Sequence, residues 1–96
     1  MSLGFEWNDR KAQTNLRKHG VDFVEAASVF SDPLARIFLD EGHSTGELRE
    51  ISIGHSSRKR LLPVCFTEPK TEWIRVISAR SATRREQRDY EDDVTN

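Results

Sequence analysis

The chain has 96 residues, 35% hydrophobic and 32% charged, with 15 Lys+Arg against 16 Asp+Glu for a formal net charge of −1. One domain with one modest core fits this length, and the supply of Val, Ile, Leu and Phe suits a globular domain better than a disordered chain. The near-neutral balance argues against a general nucleic-acid coat or a polybasic membrane binder, and no apolar stretch approaches the roughly 20 residues that span a bilayer.

"FEW" at residues 5–7 reads as a short strand. The opening "MSLGFEW" lacks the basic start and apolar run of a signal peptide. Asn8 can cap a first helix running to about His19, with Asp9 in its first turn, Arg17, Lys18 and His19 in its last, and Gly20 as the stop. A second helix starts at once: Asp22 and Glu25 have capping-box spacing, and Phe23, Ala26, Ala27 and Phe30 form one apolar face. "SDP" ends it, because proline disfavours a helical residue before it.

The period then changes to two. Residues 34–40, 49–55, 61–67 and 72–79 read as four strands joined by short polar segments, as in an antiparallel meander. Pro63 lacks a ladder donor, so its strand is expected at an edge or bulged there. Cys65, the only cysteine, reads as a small buried hydrophobe, and its solitude fits a reducing cytoplasm. A last helix follows, capped by Ser81 or Thr83, with Thr83 and Glu86 forming a second box. The order is β-α-α-β-β-β-β-α, an α+β fold with helices packed on a meander and part of one sheet face left uncovered. Residues 1–96 form a single domain, with a core over about 5–91 and an acidic C-terminal tail.

Positive charge is concentrated in the last of these elements. Arg80, Arg84, Arg85 and Arg88 fall within nine positions. A solvated helix face would give each an acid three or four residues away: Arg85 has Asp89, and Arg88 has Glu91 and Asp92, but Arg84 has none. Arg84 and Arg88 share a face and repel, so an external anion, or an acid from elsewhere in the fold, is called for; the guanidinium groups at this strand-to-helix junction, Arg80 included, are expected to stand without carboxylate partners. The arginine fork suits phosphate. Arg58, Lys59 and Arg60 occupy a hairpin turn, where solubility is the simpler account. Arg49 and Arg75 lie within strands, Arg75 on the face of Trp73 and Ile77. That pairing serves equally as a nucleotide platform or as an Arg stem over Trp.

The chain carries no P-loop, GxGxxG, CxxC or HExxH, which disfavours nucleotide hydrolysis, dinucleotide redox chemistry and a standard zinc site; no cofactor or metal is expected. His19 reads as a partner of its helix C-terminus and His43 as a loop residue. A phosphate site without a metal still permits RNA cleavage, because RNA supplies its own nucleophile, the 2′-OH. Arginines can stabilise the charge on phosphorus. Proton transfer falls to His55, Glu47, Glu68 or Tyr90, and the sequence does not choose among them.

With these pieces placed, the chain resembles the BrnT-type toxins. "FEWNDRKAQTNLRKHGVDFVEAASVFSDP" is similar to the family's N-terminal signature, and "IRVISARSATRREQRDYE" to its C-terminal hallmark. "IGHSSRKRLLPVCFTE" sits where the family usually reads IG-x-S-x-x-G-R-L-L-V-V-V-x-T-E, with Lys59 in place of the turn glycine, Pro63 in place of a β-branched residue and His55 where an apolar residue is usual. The likeness runs in order over residues 5–91. It implies a RelE-like fold and a metal-independent ribonuclease toxin that inhibits translation and growth. It also implies a BrnA-like antitoxin encoded next to it, contact with DNA only through that partner, no membrane, and assembly as a homodimer or as a heterotetramer with the antitoxin. On this resemblance Arg80, Arg84 and Arg60 are the catalytic candidates, and Arg85, Arg75, Arg88 and Arg49 the substrate-binding ones. The rival reading is a non-catalytic corepressor subunit whose arginine face binds an acidic antitoxin chain.

Overall fold

The computed structural model describes residues 2–43 and 46–95. Ser44 and Thr45, in one of the joins between expected strands, lie outside the described residues, and the side chain of His43 does too. The elements are β1 (Gly4–Glu6), α1 (Asp9–His19), α2 (Phe23–Ser28), a 3-10 turn (Val29–Ser31), β2 (Arg36–Leu39), a second 3-10 turn (Glu41–His43), β3 (Glu50–His55), β4 (Leu61–Lys70), β5 (Trp73–Ala79) and α3 (Arg84–Thr95). The expected order and α+β class hold. The acidic stretch expected to trail past residue 91 instead continues α3 to Thr95.

The five strands form one mixed sheet in the order β1-β5-β4-β3-β2. β2 to β5 make the expected antiparallel meander. β1 adds in parallel beside β5, but only along Gly4↔Trp73 to Glu6↔Arg75. The outer edge of β5 is therefore left open from Val76 onward.

Local chemistry sets the helix ends. The Asn8 side chain accepts from the Lys11 N–H, and Gly20 ends α1 at φ 67°, a conformation in which a Cβ is disfavoured. Asp22 caps α2 by accepting from the Glu25 N–H at 2.7 Å, but Glu25 does not return the bond. Thr83 and Glu86 complete a reciprocal box: the Glu86 N–H donates to Thr83 Oγ1 at 3.1 Å and the Thr83 N–H to Glu86 Oε1 at 2.9 Å.

α1, α2 and the first 3-10 turn cover one sheet face. Val21, Phe23, Ala26 and Val29 pack there on Leu62, Val64, Phe66, Ile74, Val76 and Ala79. Burial of apolar side chains on this scale is the main force holding such a domain together. Gly54 lets the turn lie close, since a Cβ there would stand 2.8 Å from the Ala35 Cβ. α3 crosses one end of the opposite face, where Tyr90 packs with Ile53 and Leu61. The remainder of that face is open, as expected.

Pro63 corrects an expectation. It sits in β4, the central strand, opposite Ile53 of β3. Its carbonyl faces the departing chain after β5, accepting from the Arg80 N–H at 3.4 Å, beyond the last regular pair Val64↔Ala79. In an antiparallel strand the N and C=O of a residue point the same way. The missing donor of Pro63 therefore falls where the ladder with β5 has already ended, and the pairing with β3 loses nothing. Lys59, at the position of the usual turn glycine, adopts φ 62° to close the β3–β4 hairpin. No helix among the described residues is long and apolar enough to cross a membrane.

Candidate active site

The uncovered sheet face holds a cavity of about 450 Å³ whose lining includes His19, Asp40, Arg49, Cys65, Ser78 and Arg80. Ile51 and Pro63 form part of its floor and also line a neighbouring 280 Å³ cleft under α3, to which Arg80 belongs as well. Arg80 thus stands where the two meet.

The expectation that Arg80 lacks a carboxylate partner is wrong. Its Nη1 and Nη2 donate to Glu86 Oε1 and Oε2 at 2.7 and 2.9 Å, and Nη1 also donates to the Ser81 carbonyl at 3.3 Å. Residues 81–83 are not helical, so they fold Arg80 back over the first turn of α3, onto the carboxylate that completes the capping box. A partner six positions away is invisible to a test based on helical spacing. The Arg80 bond, reinforced by the Thr83 N–H and hydroxyl, holds the Glu86 carboxyl down at about 2, against the upward push of burial. The same contact pushes the Arg80 guanidinium up.

This pairing leaves half of Arg80 open. Glu86 takes the end-on pair of nitrogens, and the side-on fork of Nε–H with the second Nη2 hydrogen has no partner among the described residues. The side-on fork matches two oxygens of a phosphate. The other arginines differ. Arg60 points its side-on fork at the buried Glu25, with Nε–Oε2 at 2.9 Å and Nη2 on Oε1, and also donates to the Gly20 carbonyl at 3.0 Å. Ser56 Oγ donates to the same carboxylate at 2.7 Å. The Arg60 bond, with that of Ser56, keeps Glu25 below the usual carboxylate range despite its burial. Arg75 donates from Nε to Glu6 at 2.8 Å and from Nη1 to Glu47 at 3.4 Å, while Trp73 Nε1 also donates to Glu6 and Lys70 Nζ lies 4.9 Å from the Trp73 ring centre.

Arg84, Arg85 and Arg88 are exposed and make no hydrogen bond or ion pair among the described residues. With Tyr90 and Val94 turned toward the sheet, helical geometry places Arg85 and Arg88 on the outward side of α3 and Arg84 on its flank. They border the site from outside, separate from the cavity that Arg80 and Arg49 share.

The four proton-transfer candidates do not gather around Arg80. Glu47 is engaged by Arg75, and Glu68 accepts the Glu72 N–H at 2.9 Å in the β4–β5 hairpin. His55 and Tyr90 meet each other edge-to-face, ring centres 5.4 Å apart, around Asp32. Asp32 Oδ2 accepts the His55 N–H at 2.8 Å and the Tyr90 hydroxyl at 3.3 Å, and lies 3.7 Å from His55 Nδ1. Tyr90 borders the cleft it shares with Arg80, but burial and the Asp32 charge push its ionisation up. No group of three or more His, Cys, Asp or Glu among the described residues is placed to hold a metal ion.

Sequence reasoning missed His19 and Asp40 as cavity residues. His19 ends α1 at a helix terminus, which explains a histidine without a site. Only the docking of α1 beside β5 brings it to the cavity.

The comparisons agree with this architecture. The family described as "Ribonuclease toxin, BrnT, of type II toxin-antitoxin system" matches residues 7–86. The crystal structure of the Brucella abortus ribonuclease toxin BrnT superposes with a TM-score of 0.65 at 29% identity, covering 86% of this chain and 100% of that one. No curated protein matches the sequence significantly. The open sheet face, the arginine-bearing junction before α3 and the match over residues 7–86 place the chain in the BrnT family of ribonuclease toxins of type II toxin–antitoxin systems.

Proposed function

We propose that the chain is an endoribonuclease that cleaves RNA without a metal ion, by attack of the 2′-OH on the adjacent phosphorus. The product is a 2′,3′-cyclic phosphate and a free 5′-OH. The observation that carries the reading is Arg80: a guanidinium fixed by Glu86 at its end, with its phosphate-sized side fork unpaired among the described residues, on a residue that lines a 450 Å³ cavity. A donor already held in place needs no reorganisation as charge develops on the phosphoryl oxygens. Arg49 lines the same cavity, and Arg75 lies farther along the open face. Arg84, Arg85 and Arg88 supply exposed charge for the flanking backbone. Arg60 enters as a strut, through Glu25, rather than as a phosphate contact.

Inhibition of growth by cleavage of cellular RNA follows from this reading, and a BrnA-like antitoxin encoded alongside would neutralise it in the cytoplasm. Edge strand β2 supports a protein partner, since Ile37, Phe38 and Leu39 are 56%, 50% and 45% exposed. The same edge is the observation that favours the rival, a purely partner-binding subunit.

Incubation of the purified protein with RNA in EDTA separates the two. Cleavage leaving cyclic phosphate ends, lowered about 10²–10³-fold by Arg80→Ala, is the expected result. Absence of cleavage by a folded protein, or full activity in Arg80→Ala, overturns the ribonuclease mechanism. Arg84→Ala is expected to weaken growth arrest in cells with the fold intact.

A further inference from the structure

The proposed cleavage needs a group that removes the 2′-OH proton, and the four residues considered from sequence are held elsewhere or buried. The cavity that Arg80 shares has another resident. His19 is exposed, lines this cavity, and its side chain makes no hydrogen bond or ion pair among the described residues. It also borders a second groove of about 330 Å³ between α1 and β5, which contains Arg10, Lys11 and Lys18. His19 is therefore the point where a basic groove opens into the Arg80 cavity.

Its position is not left to chance. Asn15 lies one helical turn before His19, on the same side of α1. The Asn15 carboxamide is 5% exposed and acts as a substitute strand on the edge of β5 that β1 leaves open. Its Nδ2 donates to the Ala79 carbonyl at 2.8 Å and to the Val21 carbonyl at 2.9 Å, and its Oδ1 accepts the Ala79 N–H at 3.1 Å. Ala79 directly precedes Arg80. Two side chains from opposite ends of the sequence are thus referenced to one residue: His19 through the turn of α1, Arg80 through the chain.

The charged and titratable groups facing His19 are Arg10, Lys11 and Lys18 of its own helix, Asp40 after β2, Arg49 just before β3, Cys65 of β4 and Arg80 after β5. Guanidinium, ammonium and carboxylate groups ordinarily keep one charge state near neutral pH, and imidazole does not. Burial and the nearby Asp40 push the Cys65 thiol up, which takes it out of the neutral range as well.

We propose that His19 is the general base of the cleavage, resting on the ribonuclease reading above. Neutral imidazole takes the proton of the 2′-OH as the 2′ oxygen forms its bond to phosphorus. The P–O5′ bond breaks, the 5′ oxygen takes a proton from solvent water in the open cavity, and the imidazolium returns its proton to bulk water. Phosphorus keeps its oxidation state. Arg80 holds the phosphoryl oxygens while Arg10, Lys11 and Lys18 guide the strand along the α1 groove.

The test compares wild type, His19→Gln and Arg80→Ala on an RNA oligonucleotide across pH, with circular dichroism to check each fold. His19→Gln is expected to lower the rate by about 10²–10⁴-fold. It should also remove the acid-side limb on which the wild-type rate falls as the imidazole protonates. With a 5′-bridging thiolate, whose departure needs no protonation, the His19→Gln defect should persist. Full activity in a folded His19→Gln variant, an unchanged pH limb, or a defect erased by the thiolate overturns the assignment; if Arg80→Ala is still inactive, the ribonuclease reading survives it. Absence of cleavage by wild type sinks both.

Discussion

Removing the Asn15 carboxamide tests the joint on which the site is built. In Asn15→Leu, which keeps roughly the same volume, the Ala79 N–H, the Ala79 carbonyl and the Val21 carbonyl each lose their side-chain partner. Ala79 and Val21 are 2% and 0% exposed, so water has little access to replace it. An unsatisfied buried polar group costs about 1–3 kcal/mol, and three of them with partial relaxation give about 3–5 kcal/mol. For a domain of this size each kcal/mol lowers Tm by about 4–8 °C, so the midpoint should fall by about 12 °C or more. Urea unfolding at neutral pH, with the m-value compared to confirm two-state behaviour, measures the loss directly. A loss below about 1 kcal/mol would mean that α1 is held to β5 by its apolar face alone. Asn15 would then not be what fixes His19 relative to Arg80.

Further outcomes follow from the other ion pairs and from the thiol. Glu86 is held at about 2 against a usual 4.5, so its contact with Arg80 contributes stability that is complete above the unfolded value and fades as pH falls toward 2. The stability gap between wild type and Glu86→Gln should therefore narrow on acidification across that window in urea titrations; a constant gap would show that the carboxylate charge is irrelevant. Arg60→Ala should destabilise more than Ala at Arg84, Arg85 or Arg88, because it strands the buried Glu25 carboxylate; equal urea midpoints would discredit the strut. Cys65 should react slowly with alkylating reagents at neutral pH and faster in Asp40→Asn, since burial and then Asp40 raise its thiol. Labelling as fast as a free cysteine would contradict that placement.

The local signals were legible because they depend on nearest neighbours along the chain. Asn8, Gly20, Asp22 and the Thr83–Glu86 box mark helix ends through bonds within a turn, and the alternating runs from residue 34 onward mark strands. The Pro63 inference misjudged the strand's place because a proline reports a missing donor without reporting which side the ladder needs it on. The Arg80 inference failed for a related reason. A search at spacings of three and four finds partners along a helix, and Glu86 is reached instead across a turn that precedes one.

By itself the sequence determined the element order, the α+β class and the clustering of arginines before the last helix. Those properties rest on periodicity, capping and composition, which are additive along the chain. The tertiary structure decided which charges are engaged and which are open: Arg60 on Glu25, Arg80 half-held by Glu86, and His19 carried into the Arg80 cavity by Asn15 on β5. Such pairings join residues up to 64 positions apart. They exist only once packing has fixed the distances between elements, and side-chain hydrogen bonds form or fail within a few tenths of an ångström of that geometry.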